Sequence, residues 1–275
     1  FILFGGAREE VKPFIDKLQA MAEVPLFIAS DIERGVGQQI KGYTDFPCQM
    51  AVSAAVKKAK GTVPDLRTER SEVVGAPATA GRGLSPLKLL HDMINAIALE
   101  AIDAGINMPL IPVMDVNQRP DNPIICTRAF SDNPEDVSWF GSVYIKALEN
   151  SGLISCAKHF PGHGDTSIDS HIALPVITKS YKELMDTDIM PFREAINAGV
   201  SSIMIGHLLA PSIDLMPASL SEKMIKGLLR EQLGFDGLII TDALNMSALK
   251  DIDNIPAKCI KAGADVLLHP ADADI

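Results

Sequence analysis

Residues 158–171 read Lys-His-Phe-Pro-Gly-His-Gly-Asp-Thr-Ser-Ile-Asp-Ser-His and carry nine ionisable or hydroxylated side chains. They follow directly on the apolar run Ile154-Ser155-Cys156-Ala157, and a strand that meets Pro-Gly-x-Gly must leave its sheet abruptly. Its polar side chains then stand at the strand's C-terminal end, where parallel α/β folds hold their active sites. Within this loop Asp169 and His171 are two residues apart, so the carboxylate can orient an imidazole and favour its charged form, as general acid/base work requires. Two solvated loop residues are the simpler alternative. Asp242 closes the run Gly237-Leu238-Ile239-Ile240-Thr241, and it either points into a cleft or caps a following helix. Two other chemistries are open to these residue types. His159, His163, Asp165 and His171 could hold a metal, and Lys158 could attack a carbonyl.

The elements that must position these groups are legible as an alternation. Short β-rich runs recur at 1–4, 25–30, 106–114, 154–160, 201–207, 237–244 and 264–269. Apolar residues at helical spacing fill 7–21, 87–104, 136–150, 181–198 and 221–233. The strands are almost continuously apolar, which predicts a parallel sheet buried on both faces. Asp31, Asp115, Lys158, His159, His207, Asp242 and His269 all fall at or just past strand ends, a ring of polar residues suited to a barrel mouth. A dinucleotide-binding sheet would instead need a glycine-rich phosphate turn, and no such motif occurs. The expected fold is therefore α/β, a (β/α)8 barrel occupying 1–275 as a single domain. Residues 174–177 follow the strand at 154–160 too closely to allow a crossover and read as loop return. One strand is then expected upstream of Phe1 and the last helix beyond Ile275. The stretch 60–85, rich in Gly, Pro, Thr and charge, reads as a long loop or insertion.

Composition narrows the function classes. Hydrophobic residues make up 47% of the chain, enough for a large core and against global disorder. The net charge of −10 repels a phosphate backbone or an anionic membrane surface, so nucleic acid is not an expected partner. No apolar run approaches the roughly 20 residues of a membrane-spanning helix. Cys48, Cys126, Cys156 and Cys259 form no metal-type cluster and read as free thiols. The chain opens on Phe1 within an apolar run, so a native N-terminus and any signal peptide are expected upstream, and bacterial cytoplasm and export both stay open.

The string at 158–171 closely resembles the bacterial β-N-acetylglucosaminidases of glycoside hydrolase family 3. Further matches follow along the chain: Ile106-Asn107-Met108 through Pro112-Val113-Met114-Asp115-Val116-Asn117, Asp121-Asn122-Pro123 with Thr127-Arg128-Ala129-Phe130, and Leu229-Arg230-Glu231-Gln232-Leu233-Gly234-Phe235-Asp236-Gly237 leading to Thr241-Asp242. The resemblance implies a retaining hydrolase of terminal N-acetyl-β-D-glucosaminides, from peptidoglycan or chitin, that needs no cofactor or metal. By it Asp242 is the nucleophile, His171 the general acid/base and Asp169 its partner. Asp31, Arg128, Lys158 and His159 would line the sugar subsite. His207, read from its own strand-end position, either joins them in binding substrate at the mouth or is hydrogen-bonded beneath the site. The partner implied is a small carbohydrate, and other domains could flank this stretch.

One segment departs from the family pattern. Where the family has Asp-Gln-Glu-Gly-Gly-x-Val-x-Arg, this chain has Asp31-Ile32-Glu33-Arg34-Gly35-Val36-Gly37-Gln38-Gln39. The usual arginine is Gln39, and Arg34 either reaches into its space or lies on the surface. The change motivates one alternative, a sugar-binding barrel with impaired turnover. Another is phosphorolysis, since a histidine acid/base would not repel incoming phosphate as a carboxylate would. His163 is expected to stabilise its own loop, and Asp115 to orient Lys158 or Arg128 or to serve a turn.

Overall fold

The computed structural model describes residues 1–60, 85–167, 169–170 and 172–269. The apolar runs form β1 (Ala29–Ser30), β2 (Met108–Pro109), β3 (Cys156–Phe160), β4 (Ser202–Ile205), β5 (Leu238–Ala243) and β6 (Val266–Leu268). Strand β1 pairs with β2, and β3, β4, β5 and β6 pair in order; each of these pairings is parallel. Parallel bridges from Ile2 to Ala29 and from Val113 to Lys158 extend this series before β1 and between the two sheets. Parallel neighbours need long crossovers, and helices supply them: α1 (Arg8–Met21), α2 (Gln49–Lys60), α3 (Pro86–Ala104), α4 (Pro134–Asn150), α5 (Tyr181–Thr187), α6 (Ile189–Asn197) and α7 (Ile255–Ala262), with a π-helical segment at Lys223–Gln232. The chain is thus α/β with parallel sheets.

Several elements differ from the sequence reading for identifiable reasons. The runs at 25–30 and 106–114 shrink to two paired residues each, since Pro25, Pro109 and Pro112 have no N–H to give a ladder. The helix expected over 181–198 is two helices meeting at Asp188. Pro191 cannot donate to the carbonyl four residues earlier, so the first helix ends there and a second starts. Val176, in the segment read as loop return, forms a bridge to Leu209 beyond β4, while β3 pairs directly with β4. Helices α2 and α7 were not anticipated. Most of the loop expected at 60–85 lies outside the described residues.

The core faces both ways from the strands. One side chain from each of β1 to β5, namely Ala29, Met108, Cys156, Met204 and Ile240, meets in a single buried cluster. On the other side Phe160 of β3 packs edge-on against Phe192 of α6, with ring centroids 5.2 Å apart. The register between β3 and β4 slips between Ala157 and Phe160. Such a bulge interrupts strict side-chain alternation, which lets the adjacent residues Lys158 and His159 both be buried toward one cavity.

The loop after β3 is seated by a close backbone approach. A Cβ on Gly164 would stand 1.7 Å from the Val116 carbonyl oxygen, and Gln118 N–H donates to the Gly164 carbonyl at 3.1 Å. Gly164→Ala is expected to cost about 3 kcal/mol, because backbone rather than a flexible side chain must move. A fall in the urea midpoint with an unchanged slope would report this; a midpoint equal to the parent's would mean that the loop yields without cost.

Candidate active site

A cavity of about 270 Å³ opens at the C-terminal ends of the strands. Asp31, Arg128, Lys158, His159, His163, Ser170, Asp242 and Asn245 line it, over an apolar floor that includes Leu110, Met204 and Leu268. Phe4 and His269 close one side, with ring centroids 5.7 Å apart. The larger depression at the opposite ends of the strands, about 680 Å³, is lined by Ser201, Gly237 and Asp265 among others and holds none of these groups.

Lys158 organises one end of the cavity. Its ammonium donates to Asp31 Oδ1 at 2.5 Å and lies 2.9 Å from Glu33 Oε1. Glu33 also accepts both arms of the Arg128 guanidinium, Nε at 3.0 Å and Nη2 at 2.8 Å. Burial alone would raise the Glu33 pKa, but Lys158 and Arg128 outweigh it and hold this carboxyl well below the usual range. Burial would likewise depress Lys158, and Asp31 and Glu33 reverse this to keep it protonated. A lysine so paired is no carbonyl nucleophile. Arg128 is itself placed by Gln49, whose amide donates to the Arg128 carbonyl at 2.8 Å and exchanges 3.2 Å bonds with the Val113 main chain.

Removing one partner from a buried charge network leaves the others uncompensated. Glu33→Gln is therefore expected to cost about 3 kcal/mol of folding stability near neutral pH. The folded-state pKa of Glu33 is depressed, so its contribution is complete above the ordinary glutamate pKa and fades as pH falls through the lower folded value. The gap between parent and variant denaturation midpoints should narrow on acidification. A pH-independent gap would mean that Glu33 acts through shape, not charge.

Asp115 was expected to orient Lys158 or Arg128 or to serve a turn, and the structure corrects this. Its fully buried carboxylate accepts His159 Nδ1–H at 2.7 Å and His163 N–H at 2.6 Å. Burial would raise its pKa, but His159 and His163 overcome that and lower it, so it is an acceptor only. It therefore fixes the proton of His159 on Nδ1 and leaves Nε2 toward Arg128 Nη2, 3.4 Å away. The Thr166 hydroxyl donates to the His163 carbonyl at 2.9 Å, so it accepts His163 Nδ1–H at 2.6 Å, and the Ser170 hydroxyl meets Nε2 at 3.2 Å. Burial lowers the His163 pKa. With both nitrogens engaged it braces its loop and is not available to a metal. Among the described residues no group of three or more His, Cys, Asp and Glu could hold a metal ion.

Asp242, half-buried at the end of β5, accepts the Ala243 N–H at 2.8 Å. Burial pushes its pKa up, yet His159, His207, the Ala243 N–H and Lys158 together bring it below the ordinary value. His207 stands behind the cavity rather than in its lining, with Nδ1 2.9 Å from Ser219 Oγ and Nε2–H donating to the Ala243 carbonyl at 3.0 Å. Burial lowers its pKa. It thus supports the main chain that carries Asp242. Arg34 turns outward to an ion pair with Asp45 at 3.2 Å, and Gln39 donates to the Asp31 carbonyl at 3.1 Å. Asp169 accepts Ile172 N–H at 2.9 Å and Ala173 N–H at 3.1 Å through its carbonyl. His171 lies outside the described residues.

Sequence reasoning did not single out Glu33, Gln49 or Asn122. Asn122 donates to the carbonyls of His163 and Thr166, each at 2.9 Å, and accepts the N–H groups of Ile124 and Ile125, stitching two loops together. Its place in Asp121-Asn122-Pro123 was the available signal, since Asn before Pro favours turns.

The model of the glycosyl hydrolase family 3 N-terminal domain matches residues 8–274. Beta-hexosaminidase A of Pseudoalteromonas piscicida is 33% identical over 270 residues, covering 92% of this chain and 41% of the relative. A family 3 β-N-acetylglucosaminidase structure from Paenibacillus sp. FPU-7 superposes with a TM-score of 0.80 at 32% identity, over 96% of this chain and 48% of that one. NagZ from Neisseria gonorrhoeae, solved with N-trifluoroacetyl-D-glucosamine, gives a TM-score of 0.81 at 28% identity over 99% of this chain and 74% of its own. The chain thus spans less than half the length of the first two of these proteins. With the family's domain matched almost from end to end and the strand-end cavity at its centre, this chain belongs to glycosyl hydrolase family 3.

Proposed function

We propose that the chain is a barrel-type catalytic domain that hydrolyses terminal N-acetyl-β-D-glucosaminides with retention of configuration. The observation that carries this reading is the convergence of Asp242 with Asp31, Arg128, Lys158 and His159 on one cavity at the strand ends. The barrel is supported by the buried cluster of Ala29, Met108, Cys156, Met204 and Ile240, which draws one side chain from each of five successive strands, as the interior of a curved wall would. The contact of Phe4 with His269 brings the first and last strand segments together. The substrate class is supported by the β-N-acetylglucosaminidase and β-hexosaminidase relatives.

In this mechanism the Asp242 carboxylate attacks the anomeric carbon from the face opposite the leaving oxygen. His171, charged with the help of Asp169, protonates that oxygen as the bond breaks. Water then opens the glycosyl-aspartate, giving its proton back to His171, and two inversions amount to retention. Asp31, Lys158 and Arg128 present fixed acceptors and donors to sugar hydroxyls, already charge-balanced by Glu33. His159, its Nδ1–H held by Asp115, presents Nε2 as an acceptor of set direction.

Release of 4-nitrophenol from its N-acetyl-β-D-glucosaminide, followed with and without phosphate, tests the reading. The expected result is a rate independent of phosphate, with the β-anomer of free N-acetylglucosamine formed first. A sugar phosphate as product would replace hydrolysis by phosphorolysis, and tight sugar binding without release would leave only a binding barrel.

A further inference from the structure

A buried ion pair between Lys179 and Asp188 takes no part in the proposed mechanism. Lys179 donates to Asp188 Oδ2 and to Gln118 Oε1, each at 2.5 Å, and lies 3.7 Å from Asp165 Oδ2. Gln118 closes the circuit, its amide donating to Asp188 Oδ1 at 2.8 Å. The Asp188 side chain is fully buried and that of Lys179 only 13% exposed. Burial pushes the Asp188 carboxyl up and Lys179 draws it down, so the carboxylate depends on the ammonium beside it. None of these four residues lines the strand-end cavity.

What they touch is the loop after β3, and three of its residues meet three different members of the cluster. Asp165 faces Lys179, and the Gly164 carbonyl accepts the Gln118 N–H at 3.1 Å. Gly162 packs so closely on Asp188 that a Cβ there would stand 2.8 Å from the Asp188 Cβ. Lys179 and Asp188 stand at the two ends of α5, so the first half of the loop is fastened to that helix. Within the loop His163 then bonds Thr166 at 2.6 Å and Ser170 at 3.2 Å, and Ser170 precedes His171. Stability alone does not call for a buried ion pair, since packed apolar side chains of the same volume serve as well or better. What the pair adds is direction: the donors of Lys179 and both ends of the Gln118 amide fix the loop at set angles.

Resting on the reading of His171 as general acid/base, we propose that Lys179 and Asp188, with Gln118 and Asp165, anchor the loop after β3 so that its proton donor meets the leaving oxygen. They are positioning residues for the acid step, and sugar binding does not run through them.

The 275-residue protein is compared with Lys179→Met and Lys179→Arg on the phenyl and 2,4-dinitrophenyl N-acetyl-β-D-glucosaminides. In Lys179→Met, kcat/KM should fall about thirtyfold for the phenyl glycoside, the scale of a displaced catalytic group, and no more than about twofold for the dinitrophenyl one, which needs little protonation. Lys179→Arg keeps the charge and should recover most of the loss. The inhibition constant of N-acetylglucosamine should stay within about twofold of the parent's, because Arg128, Lys158 and His159 are held by Glu33, Asp31 and Asp115. Added to His171→Ala, the Lys179→Met change should cost the phenyl glycoside nothing further, as for two residues serving one step. Equal losses for both leaving groups, or a loss that adds in full to that of His171→Ala, overturn the anchor. A graded loss in Lys179→Met with none in His171→Ala moves the acid to another residue of the loop and leaves the anchor standing. Should Lys179→Met not fold, Asp165→Asn removes the charge on the loop side of the cluster and is held to the same comparisons. If the parent cleaves neither glycoside, the hydrolase reading fails, and hydrogen exchange decides the anchor: faster exchange in peptides covering 160–167 of the variant upholds it, whereas exchange at the parent's rate overturns it.

Discussion

Asp242→Ala should lower kcat by roughly 10⁴-fold or more while the protein remains folded, because a route through a covalent intermediate has no substitute for the attacking carboxylate. The side chain is half-buried at a strand end, and its hydrogen bond is to the neighbouring Ala243 N–H. Truncation therefore removes a charge that faces the cavity rather than a member of the apolar core. Far-ultraviolet circular dichroism and the denaturation midpoint would establish that the fold is retained. A 5-fluoro donor bearing the 2-acetamido group should trap the sugar on Asp242 of the parent enzyme, and peptide mapping that locates the label elsewhere would rule out the assignment. The electrostatics add a pH expectation. His159, His207, the Ala243 N–H and Lys158 hold the Asp242 pKa below the ordinary aspartate value despite burial. Since the reaction needs the ionised form, the acid limb of kcat/KM due to this group should fall below the usual carboxylate range, and a limb near neutrality would belong to another group.

The parts of this site visible in sequence are those whose position follows from the end of an apolar strand. Asp31, Lys158, His159 and Asp242 each close or follow such a run, so local pattern was enough to place them in one ring, and the cavity gathers all four. Glu33 was missed because its meaning is non-local. Its partner Arg128 is 95 residues away in sequence, and no periodicity within 31–39 distinguishes a buried carboxylate from a solvated one. Asp115 was placed at the right strand end but with the wrong partners, because the bulge in β3 aims His159 at it and bulges leave no reliable mark in sequence. His207 illustrates the converse. Its strand-end position left the mouth and a place beneath the site equally open, and only the partners decide: Ser219 and the Ala243 carbonyl hold both nitrogens behind the cavity wall. The fold shows the same division. Strand centres were legible as apolar runs, whereas their ends depended on prolines that remove ladder donors, and the break between α5 and α6 on Pro191.

His171→Ala should separate substrates by leaving group. Glycosides of poor leaving groups should lose roughly 10²-fold to 10⁴-fold in kcat/KM, the usual contribution of a positioned general acid. Activated aryl glycosides such as the 2,4-dinitrophenyl derivative need little protonation and should keep most of their kcat/KM. Their kcat should still fall, because opening of the glycosyl-aspartate by water needs a general base and becomes limiting. Azide needs none, so added azide should raise turnover of the activated donor and yield the β-glycosyl azide. The neighbouring residues are held in place: the Ser170 carbonyl accepts Ala248 N–H, the Ser170 hydroxyl meets His163, and the Asp169 carbonyl accepts the N–H groups of Ile172 and Ala173. In the proposed mechanism His171 protonates the leaving oxygen, so the effect should track the basicity of that oxygen. Equal losses for every leaving group, with no azide product, would place the acid/base function on a different residue and leave the Asp242 chemistry untouched.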